Sequence, residues 1–310
     1  MPGGHAQTIY AAQLAPLPQI DYQRTVWDTP DGDQIAVDSV IANARPDAPT
    51  LILLHGLEGS SNGHYARSHA QRAVALGWTV RVIHWRGCGG LPNRAPRAYH
   101  SGDSAELDWM LARAAREADR RLAVVGISLG GNVLLKWLGE RGDAAAAYVA
   151  SAAAISVPYD LAVGAATLAS GFGMVYSRHF LSTMKPKALA QLERYPDLFN
   201  RQHLIAARNL HDFDDVYTAP VHGFASADVY YQRSSSVHYL GGIRLPTLLV
   251  SARNDPFLPA HCLPASTRLS PAVRTLWTES GGHAGFCHGL PPGRLEWLPT
   301  VIIEFLQSHQ

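Results

Sequence analysis

The pentapeptide Gly-Ile-Ser-Leu-Gly at residues 126–130 places one serine, Ser128, between two glycines in a Gly-x-Ser-x-Gly pattern. An apolar run at 122–125 precedes it, and a helix-like stretch at 131–137 follows. At a sharp turn from strand to helix, small glycines let the two elements approach closely, and the serine hydroxyl projects above the sheet. We therefore predict that Ser128 is a nucleophile on a strained turn, rather than a solvated serine in a glycine-rich loop.

A serine hydroxyl is a weak nucleophile at neutral pH, so it needs a neighbouring base, and the base needs an orienting acid. In strand–turn–helix sites of this kind, the acid and then the histidine come later in the chain, each just after a strand. Asp255 follows the apolar run 247–251, and His283 follows the run 273–277. We therefore predict that Asp255 and His283 complete a catalytic triad with Ser128.

Both partners of the serine have competing interpretations. Asp255 stands before Pro256, where an aspartate often does no more than cap a turn. His288 is the nearest rival of His283, but no strand leads into it. The remaining rival acids lie away from predicted strand ends: Asp212, Asp214, Asp215 and Asp228.

Acyl transfer also requires hydrogen-bond donors for the charge that develops on the attacked carbonyl oxygen. The N–H of Leu129, directly after the serine, is one expected donor. The second is expected from the loop after the run 50–54, where the turn at His55-Gly56 directs the N–H of Leu57 towards the site. We interpret His55 as a residue that holds this loop. Because no metal-ligand spacing occurs among the 15 histidines, we expect neither a metal nor another cofactor.

Short apolar runs recur along the chain and are typical of central parallel strands that are covered on both faces. These runs span residues 50–54, 79–83, 122–125, 148–157, 247–251 and 273–277. Helical patterns lie between them, at 64–76 and at 103–118, where Asp103 or Ser104 can cap the helix. The alternating segments 22–27 and 34–37 flank an Asp-Gly turn and predict an antiparallel pair. The pattern predicts an α/β fold with a mostly parallel central sheet flanked by helices.

Residues 158–240 interrupt this alternation of strands and helices. They lack strong strand signals and contain many aromatic residues and histidines. We predict a mostly helical cap insertion over the carboxyl edge of the sheet. Since no linker marks a second unit, residues 1–310 are expected to form a single domain that contains this cap.

The composition limits the class of partner. A chain of 310 residues that is 47% hydrophobic can bury a large core, and its net charge of +1 without a basic tract argues against nucleic acid. Three scattered cysteines favour a reducing compartment, for which we predict the cytoplasm. No apolar run reaches the roughly 20 residues of a membrane span, and the first residues lack a signal-peptide pattern. The sequence leaves the oligomeric state open.

Taken together, the motifs resemble the α/β-hydrolase superfamily over nearly the whole chain, and within it the YheT-like branch of bacterial esterase-like proteins and eukaryotic lipases. The motifs that carry this resemblance are Pro-Gly-Gly-His-Ala-Gln-Thr at 2–8, His-Gly-Leu-Glu-Gly at 55–59, Trp-Arg-Gly-Cys at 85–88, Tyr-His-Ser-Gly at 99–102, Phe-Asp-Asp at 213–215, Thr-Ala-Pro-Val-His-Gly-Phe at 218–224 and Gly-Gly-His-Ala-Gly-Phe at 281–286. The resemblance implies a serine carboxylester hydrolase with Ser128, Asp255 and His283 as its triad. The eukaryotic members carry a membrane anchor that we do not expect here, so their lipid substrates are not carried over.

The expected substrate is a small ester. An aromatic insertion beside the site predicts an apolar pocket, which favours short- to medium-chain esters or monoacylglycerols. An acyltransferase would use the same triad with an alcohol or thiol in place of water, and the sequence does not separate the two reactions. A non-catalytic binding protein on a hydrolase scaffold is a third class, and the intact triad argues against it.

The assignment of the acid can be tested by exchanging one carboxylate at a time. We expect Asp255→Asn to fold but to lose most esterase activity, because the histidine loses both its correct tautomer and the charge that stabilises the imidazolium. Asp228→Asn is the control and should hydrolyse p-nitrophenyl esters at close to the wild-type rate. An active Asp255→Asn together with an inactive Asp228→Asn would move the acid to the other position.

Overall fold

The computed structural model describes residues 3–41, 48–289 and 293–309, so Pro2 of the N-terminal motif lies outside the described residues. In these ranges eight strands form one sheet. They are β1 (Gln23–Asp28), β2 (Gln34–Val40), β3 (Thr50–Leu54), β4 (Thr79–Ile83), β5 (Leu122–Ile127), β6 (Val149–Ile155), β7 (Thr247–Ala252) and β8 (Val273–Thr278). Their order across the sheet is β1-β2-β4-β3-β5-β6-β7-β8.

The sheet is mostly parallel, as the apolar runs predict. Strand β2 runs antiparallel to both of its neighbours, β1 and β4, whereas every pairing from β4 to β8 is parallel. Every residue of β3, β5, β6 and β7 is buried, which is the burial expected of strands covered on both faces. In the register of β3 and β5, Leu54 lies opposite Gly126, so the loop after β3 starts beside Ser128.

Helices cover both faces of this sheet. The described α-helices are α1 (Gly4–Gln13), α2 (His64–Ala75), α3 (Ser104–Ala118), α4 (Leu129–Arg141), α5 (Leu161–Leu168), α6 (Gly173–Leu192), α7 (Arg201–Ala206), α8 (Leu210–Phe213), α9 (Ala219–Val221), α10 (Ala227–Ser234) and α11 (Trp297–Gln307). Helices α3 and α4 pack in the core on one face, and α2 and α11 pack in the core on the other. As predicted, the side chain of Asp103 caps α3 by accepting the N–H of Glu106.

Helices α5 to α10 all lie between β6 and β7, in a stretch that we call the β6–β7 segment. Residues 158–240 are all described and contain helices and turns but no strand. Its apolar side chains form a cluster that includes Phe257 and Leu258 from the loop after β7. The segment therefore packs against the carboxyl edge of the sheet, where the predicted site residues lie.

A buried ion network fixes the loop that follows β4. The guanidinium of Arg86 is almost inaccessible to solvent and pairs with Asp31 at 2.9 Å, with Asp33 at 3.3 Å and with Glu106. Asp33 also accepts the backbone N–H of Arg94. A buried guanidinium is tolerated only when it is paired, so these bonds tie the β1–β2 hairpin, the loop and α3 to one another.

Candidate active site

Ser128 lies at the junction of β5 and α4 in a strained backbone conformation, with φ 53° and ψ −119°. Residues other than glycine rarely adopt a positive φ, and they do so where the surrounding structure enforces it. A Cβ added at Gly126 would lie 2.6 Å from the carbonyl oxygen of Gly130, and one added at Gly130 would lie 2.5 Å from that of Leu54. Both glycines are therefore required for the close approach of strand and helix that the pattern predicts.

The structure brings the three predicted residues into one line of hydrogen bonds. Ser128 Oγ lies 3.0 Å from His283 Nε2, and His283 Nδ1 lies 2.9 Å from Asp255 Oδ2. An ionised carboxylate only accepts hydrogen bonds, so Nδ1 carries the ring proton and Nε2 is left to accept the serine hydroxyl. This is the arrangement in which a histidine can remove a proton from a serine.

The surroundings hold the imidazole and the carboxylate in place. The side chain of Asp255 is fully buried, and that of His283 is 10% exposed. Phe257 donates its N–H to Asp255 Oδ1 at 2.8 Å and stacks its ring on His283, with centroids 4.1 Å apart. A hydrogen bond between charged or polar groups is stronger in such a water-poor setting than at the surface.

The rival residues from the sequence have local roles in the structure. The four aspartates of the β6–β7 segment bond within that segment: Asp212 accepts from the N–H of Arg208, Asp214 from Thr218 and Tyr231, Asp215 from the N–H of Ala227, and Asp228 faces His211. The backbone of His288 forms an isolated bridge with Arg294. Asp255 is the acid that faces His283.

The two predicted oxyanion donors lie beside the serine. Leu57 and Leu129 line the same cavity as Ser128 and His283. A Cβ added at Gly56 would lie 3.1 Å from the Cβ of Ser128, so the loop after β3 passes directly along the serine. Neither leucine N–H donates to another atom of the part of the chain that the structure describes. Both are therefore available to a ligand.

The loop that carries Leu57 is fixed by polar contacts that no local sequence pattern indicates. Glu58, at φ 55°, donates its N–H to the hydroxyl of Tyr99 at 3.0 Å, and that hydroxyl donates to Glu58 Oε1 at 2.9 Å. Lys187 of α6 pairs with Glu58 Oε2 at 2.8 Å. The only sequence signal was that two of these residues lie in family motifs.

His55 also fixes this loop, which is the role predicted for it from the sequence. Its Nε2 accepts the N–H of Trp85 at 3.2 Å, and its Nδ1 donates to the carbonyl of Gly56 at 2.7 Å. Burial lowers the pKa of His55 to about 3, so the ring is neutral and acts through these two bonds.

The loop that carries His283 is held through its backbone. Asn254 Oδ1 accepts the N–H groups of residues 281–282 at 2.9 and 3.1 Å. The N–H of Ala284 donates to Ser156 Oγ at 3.0 Å, and His64 Nε2 lies 2.9 Å from the carbonyl oxygen of Ala284. These polar side chains satisfy a buried loop that has no regular secondary structure of its own.

A cavity of about 260 Å³ opens beside Ser128 and His283. Its walls come largely from the β6–β7 segment and are predominantly apolar. The larger apolar side chains that line it include Leu161, Leu168, Phe180, Met184, Phe213 and Tyr217. A pocket of this character fits an apolar group attached to a carbonyl that reaches the serine.

Two further features of the described residues bear on possible ligands. Their histidine, cysteine, aspartate and glutamate side chains form no group of three that could hold a metal ion. None of the helices in the same ranges combines the length and the apolar character that crossing a bilayer requires.

Comparisons with known proteins agree with this architecture. A family model described as alpha/beta hydrolase fold matches residues 49–290. YheT of Escherichia coli, provisionally named an esterase, is 37% identical over 287 residues, which cover 91% of this chain and 84% of YheT. Medium-chain fatty acid ethyl ester synthase/esterase 2 of Saccharomyces cerevisiae is 29% identical over 84% of this chain and 62% of its own length. Among solved structures, mouse alpha/beta hydrolase domain-containing protein 10 superposes with a TM-score of 0.61 at 15% identity, over 93% of this chain and all of that one.

The chain therefore belongs to the α/β-hydrolase family, in its YheT-like branch, and is a hydrolase of that superfamily. The fold predicted from the alternation of strands and helices is confirmed by the sheet and by this match.

Buried neutral histidines near the site predict a loss of stability in acid. Burial lowers the pKa of His69 from 6.5 to about 4 and that of His64 to about 4. Below pH 6.5 the unfolded chain binds protons that the folded chain excludes, so the free energy of unfolding falls as the pH is lowered from 6.5 towards 4. We expect the free energy of unfolding at pH 5.5 to lie below that at pH 7.5 by about 1 kcal/mol for each such histidine, as measured by denaturant unfolding at the two pH values.

A single substitution separates this effect from general acid sensitivity. His69 Nε2 has no hydrogen-bond partner among the described residues, and Nδ1 lies 2.7 Å from the carbonyl oxygen of Tyr65, so leucine removes one side-chain bond within α2 together with the titrating ring. We expect His69→Leu to show a smaller pH dependence than the wild type, and exposed His238→Gln to keep the wild-type dependence. The same slope in His69→Leu as in the wild type would contradict the assignment.

Proposed function

We propose that this protein is a serine carboxylester hydrolase in which Ser128, His283 and Asp255 form the catalytic triad. The observation that carries the proposal is the continuous hydrogen-bonded line from Asp255 through His283 to a serine on a strained turn. A solvated serine in a flexible loop would need neither the positive φ nor the buried acid. The similarity of this chain to proteins named as esterases supports the same reaction class.

The reaction proceeds by two acyl transfers. His283 Nε2 takes the proton of Ser128 Oγ as that oxygen bonds to the ester carbonyl carbon, and Asp255 stabilises the imidazolium that results. The N–H groups of Leu57 and Leu129 donate to the oxyanion of the tetrahedral intermediate. The C–O bond to the alcohol then breaks, and His283 gives its proton to the departing oxygen. Water, activated by the same nitrogen, cleaves the acyl-enzyme and returns the proton to Ser128.

In this proposal residues 158–240 form a helical cap within a single domain that spans residues 1–310. The cap helices supply most of the apolar cavity wall, and their core is continuous with Phe257 in the loop of the acid. The cavity size and lining favour short- to medium-chain esters or monoacylglycerols as substrates. The three cysteines form no disulfide, which favours a reducing compartment such as the cytoplasm.

An acyltransferase is the second candidate, and the name of the yeast relative favours it because it includes both synthesis and hydrolysis of an ester. The same acyl-enzyme would react with an alcohol in place of water. Supplying ethanol or glycerol during turnover and measuring new ester against free acid separates the two. Free acid as the dominant product supports the hydrolase.

The nucleophile is tested by labelling and turnover together. We expect a fluorophosphonate probe to label the wild type once, on the peptide that contains Ser128, and to leave Ser128→Ala unlabelled. Hydrolysis of p-nitrophenyl esters with two to sixteen carbons should fall in that variant by roughly 10⁴- to 10⁶-fold. Exposed Ser182→Ala on α6 is the matched control and should label and turn over normally. Labelling that persists in Ser128→Ala refutes the assignment.

The cap is tested by enlarging the cavity. Phe180 of α6 lines the cavity, whereas Met174 of the same helix is exposed and does not line it. We expect Phe180→Ala to shift the preferred ester to a longer chain with a modest effect on acetate esters, because apolar contact is worth about 1–3 kcal/mol per methylene. Met174→Ala is the control and should keep the wild-type chain-length profile. An unchanged profile in Phe180→Ala would place the acyl pocket elsewhere.

A further inference from the structure

Helix α1 lies against the loop that carries His283, a contact that the proposed reaction leaves unexplained. Thr8 Oγ1 accepts the backbone N–H of His283 at 2.9 Å. The same hydroxyl donates its own proton to the carbonyl oxygen of Gly4 at 2.8 Å. Because that proton is committed within α1, the oxygen presents a lone pair to His283 in one fixed direction. Thr8 is buried, so water does not compete readily for the bond.

The backbone of the histidine loop passes α1 without room for side chains. A Cβ added at Gly282 would lie 2.6 Å from the carbonyl oxygen of Gly4 and 2.8 Å from Thr8 Oγ1. One added at Gly285 would lie 2.7 Å from the carbonyl oxygen of Gln7. The glycines on either side of His283 thus allow main chain to pack on main chain, and the loop cannot move towards α1 without displacing the helix.

The same helix also contacts the loop of the acid. A Cβ added at Gly4 would overlap the carbonyl oxygen of Asn254, the residue before Asp255. Asn254 in turn bonds to the N–H of Gly281 through its side-chain oxygen at 2.9 Å. Helix α1, the acid loop and the base loop therefore meet in one packed unit.

We propose that Thr8 is a positioning residue for the triad, holding His283 through its backbone N–H so that Nε2 stays within hydrogen-bond reach of Ser128. The proposal rests on the function proposed above and assigns a role to the N-terminal motif, which that function did not use. Thr8 touches neither substrate nor the reacting atoms. Its effect on the rate comes from the geometry of the imidazole, where a displacement of about 1 Å costs roughly 100-fold.

Three substitutions separate positioning from simple packing. Thr8→Val keeps the branched shape but removes the acceptor and leaves the His283 N–H buried without a partner. Thr8→Ser keeps the hydrogen-bond acceptor and should therefore retain the activity that Thr8→Val loses. Thr300→Val on α11 is the matched control, because Thr300 Oγ1 makes the same bond to a carbonyl four residues earlier, that of Glu296, at 2.8 Å.

The expected result is a loss of turnover with substrate binding retained. We expect kcat of Thr8→Val on a p-nitrophenyl ester to fall roughly 10- to 100-fold with little change in KM, and the rate of fluorophosphonate labelling to fall in parallel. Thr8→Ser and Thr300→Val should stay within about threefold of the wild type. Hydrogen–deuterium exchange of peptides covering residues 281–286 should accelerate in Thr8→Val alone. Should Thr8→Val fold poorly, Thr8→Ala gives the same comparison with a smaller expected loss, because water can reach the freed N–H.

The outcomes distinguish this inference from the proposed function. Wild-type kcat and unchanged exchange in Thr8→Val overturn the role of Thr8 while leaving the triad intact. Equal losses of kcat in Thr8→Val and Thr8→Ser overturn it as well, because the loss then comes from altered packing of the side chain and not from the missing hydrogen-bond acceptor. If Ser128→Ala keeps full activity, the proposed function fails. In that case hydrogen exchange alone still decides whether Thr8 holds the His283 loop.

Discussion

The close approach of β5 and α4 at Ser128 is the constraint on which the site depends. The backbone of Ser128 is held at a positive φ, a conformation that costs on the order of 1–3 kcal/mol and persists only where packing enforces it. That packing comes from a wholly buried strand and a largely buried helix that meet without intervening side chains at Gly126 and Gly130. The serine hydroxyl is thereby fixed, and the other groups must reach it.

The parallel order of neighbouring strands explains how the acid and the histidine reach the serine. Strands β5, β6, β7 and β8 lie side by side and run in the same direction, so the loops at their carboxyl ends meet at one edge. The acid and the histidine come from two of these loops although they are distant from Ser128 in sequence. Loops lack the hydrogen bonds of regular structure, so buried polar side chains supply them here: His55, His64, Asn254 and Ser156 each bond to the backbone of a loop beside the site.

The parts that the sequence predicts are those that leave a local pattern. Apolar runs marked the strands, the glycine spacing marked the strained turn, and position after a strand singled out Asp255 and His283. The contacts that fix the loops left no such pattern, because they join polar residues far apart in the chain. Thr8 and His283 are 275 positions apart, and Glu58 and Lys187 pair across two elements. Helix α1 itself carries only a weak apolar stripe, and four of its residues are buried by packing on other segments.

A series of ring contacts connects His283, the catalytic base of the proposed reaction, with the helices that form the cavity wall. His5 of α1 stacks on Tyr176 of α6, with its Nδ1 3.1 Å from the tyrosine hydroxyl, and Tyr176 packs on Phe257 at 4.6 Å. Phe257 stacks in turn on His283. Helix α1, which contacts the backbone of His283, thus also contacts α6, whose side chains line the cavity. Because packed rings transmit displacement rather than absorb it, the orientation of the imidazole and the shape of the apolar cavity are set together.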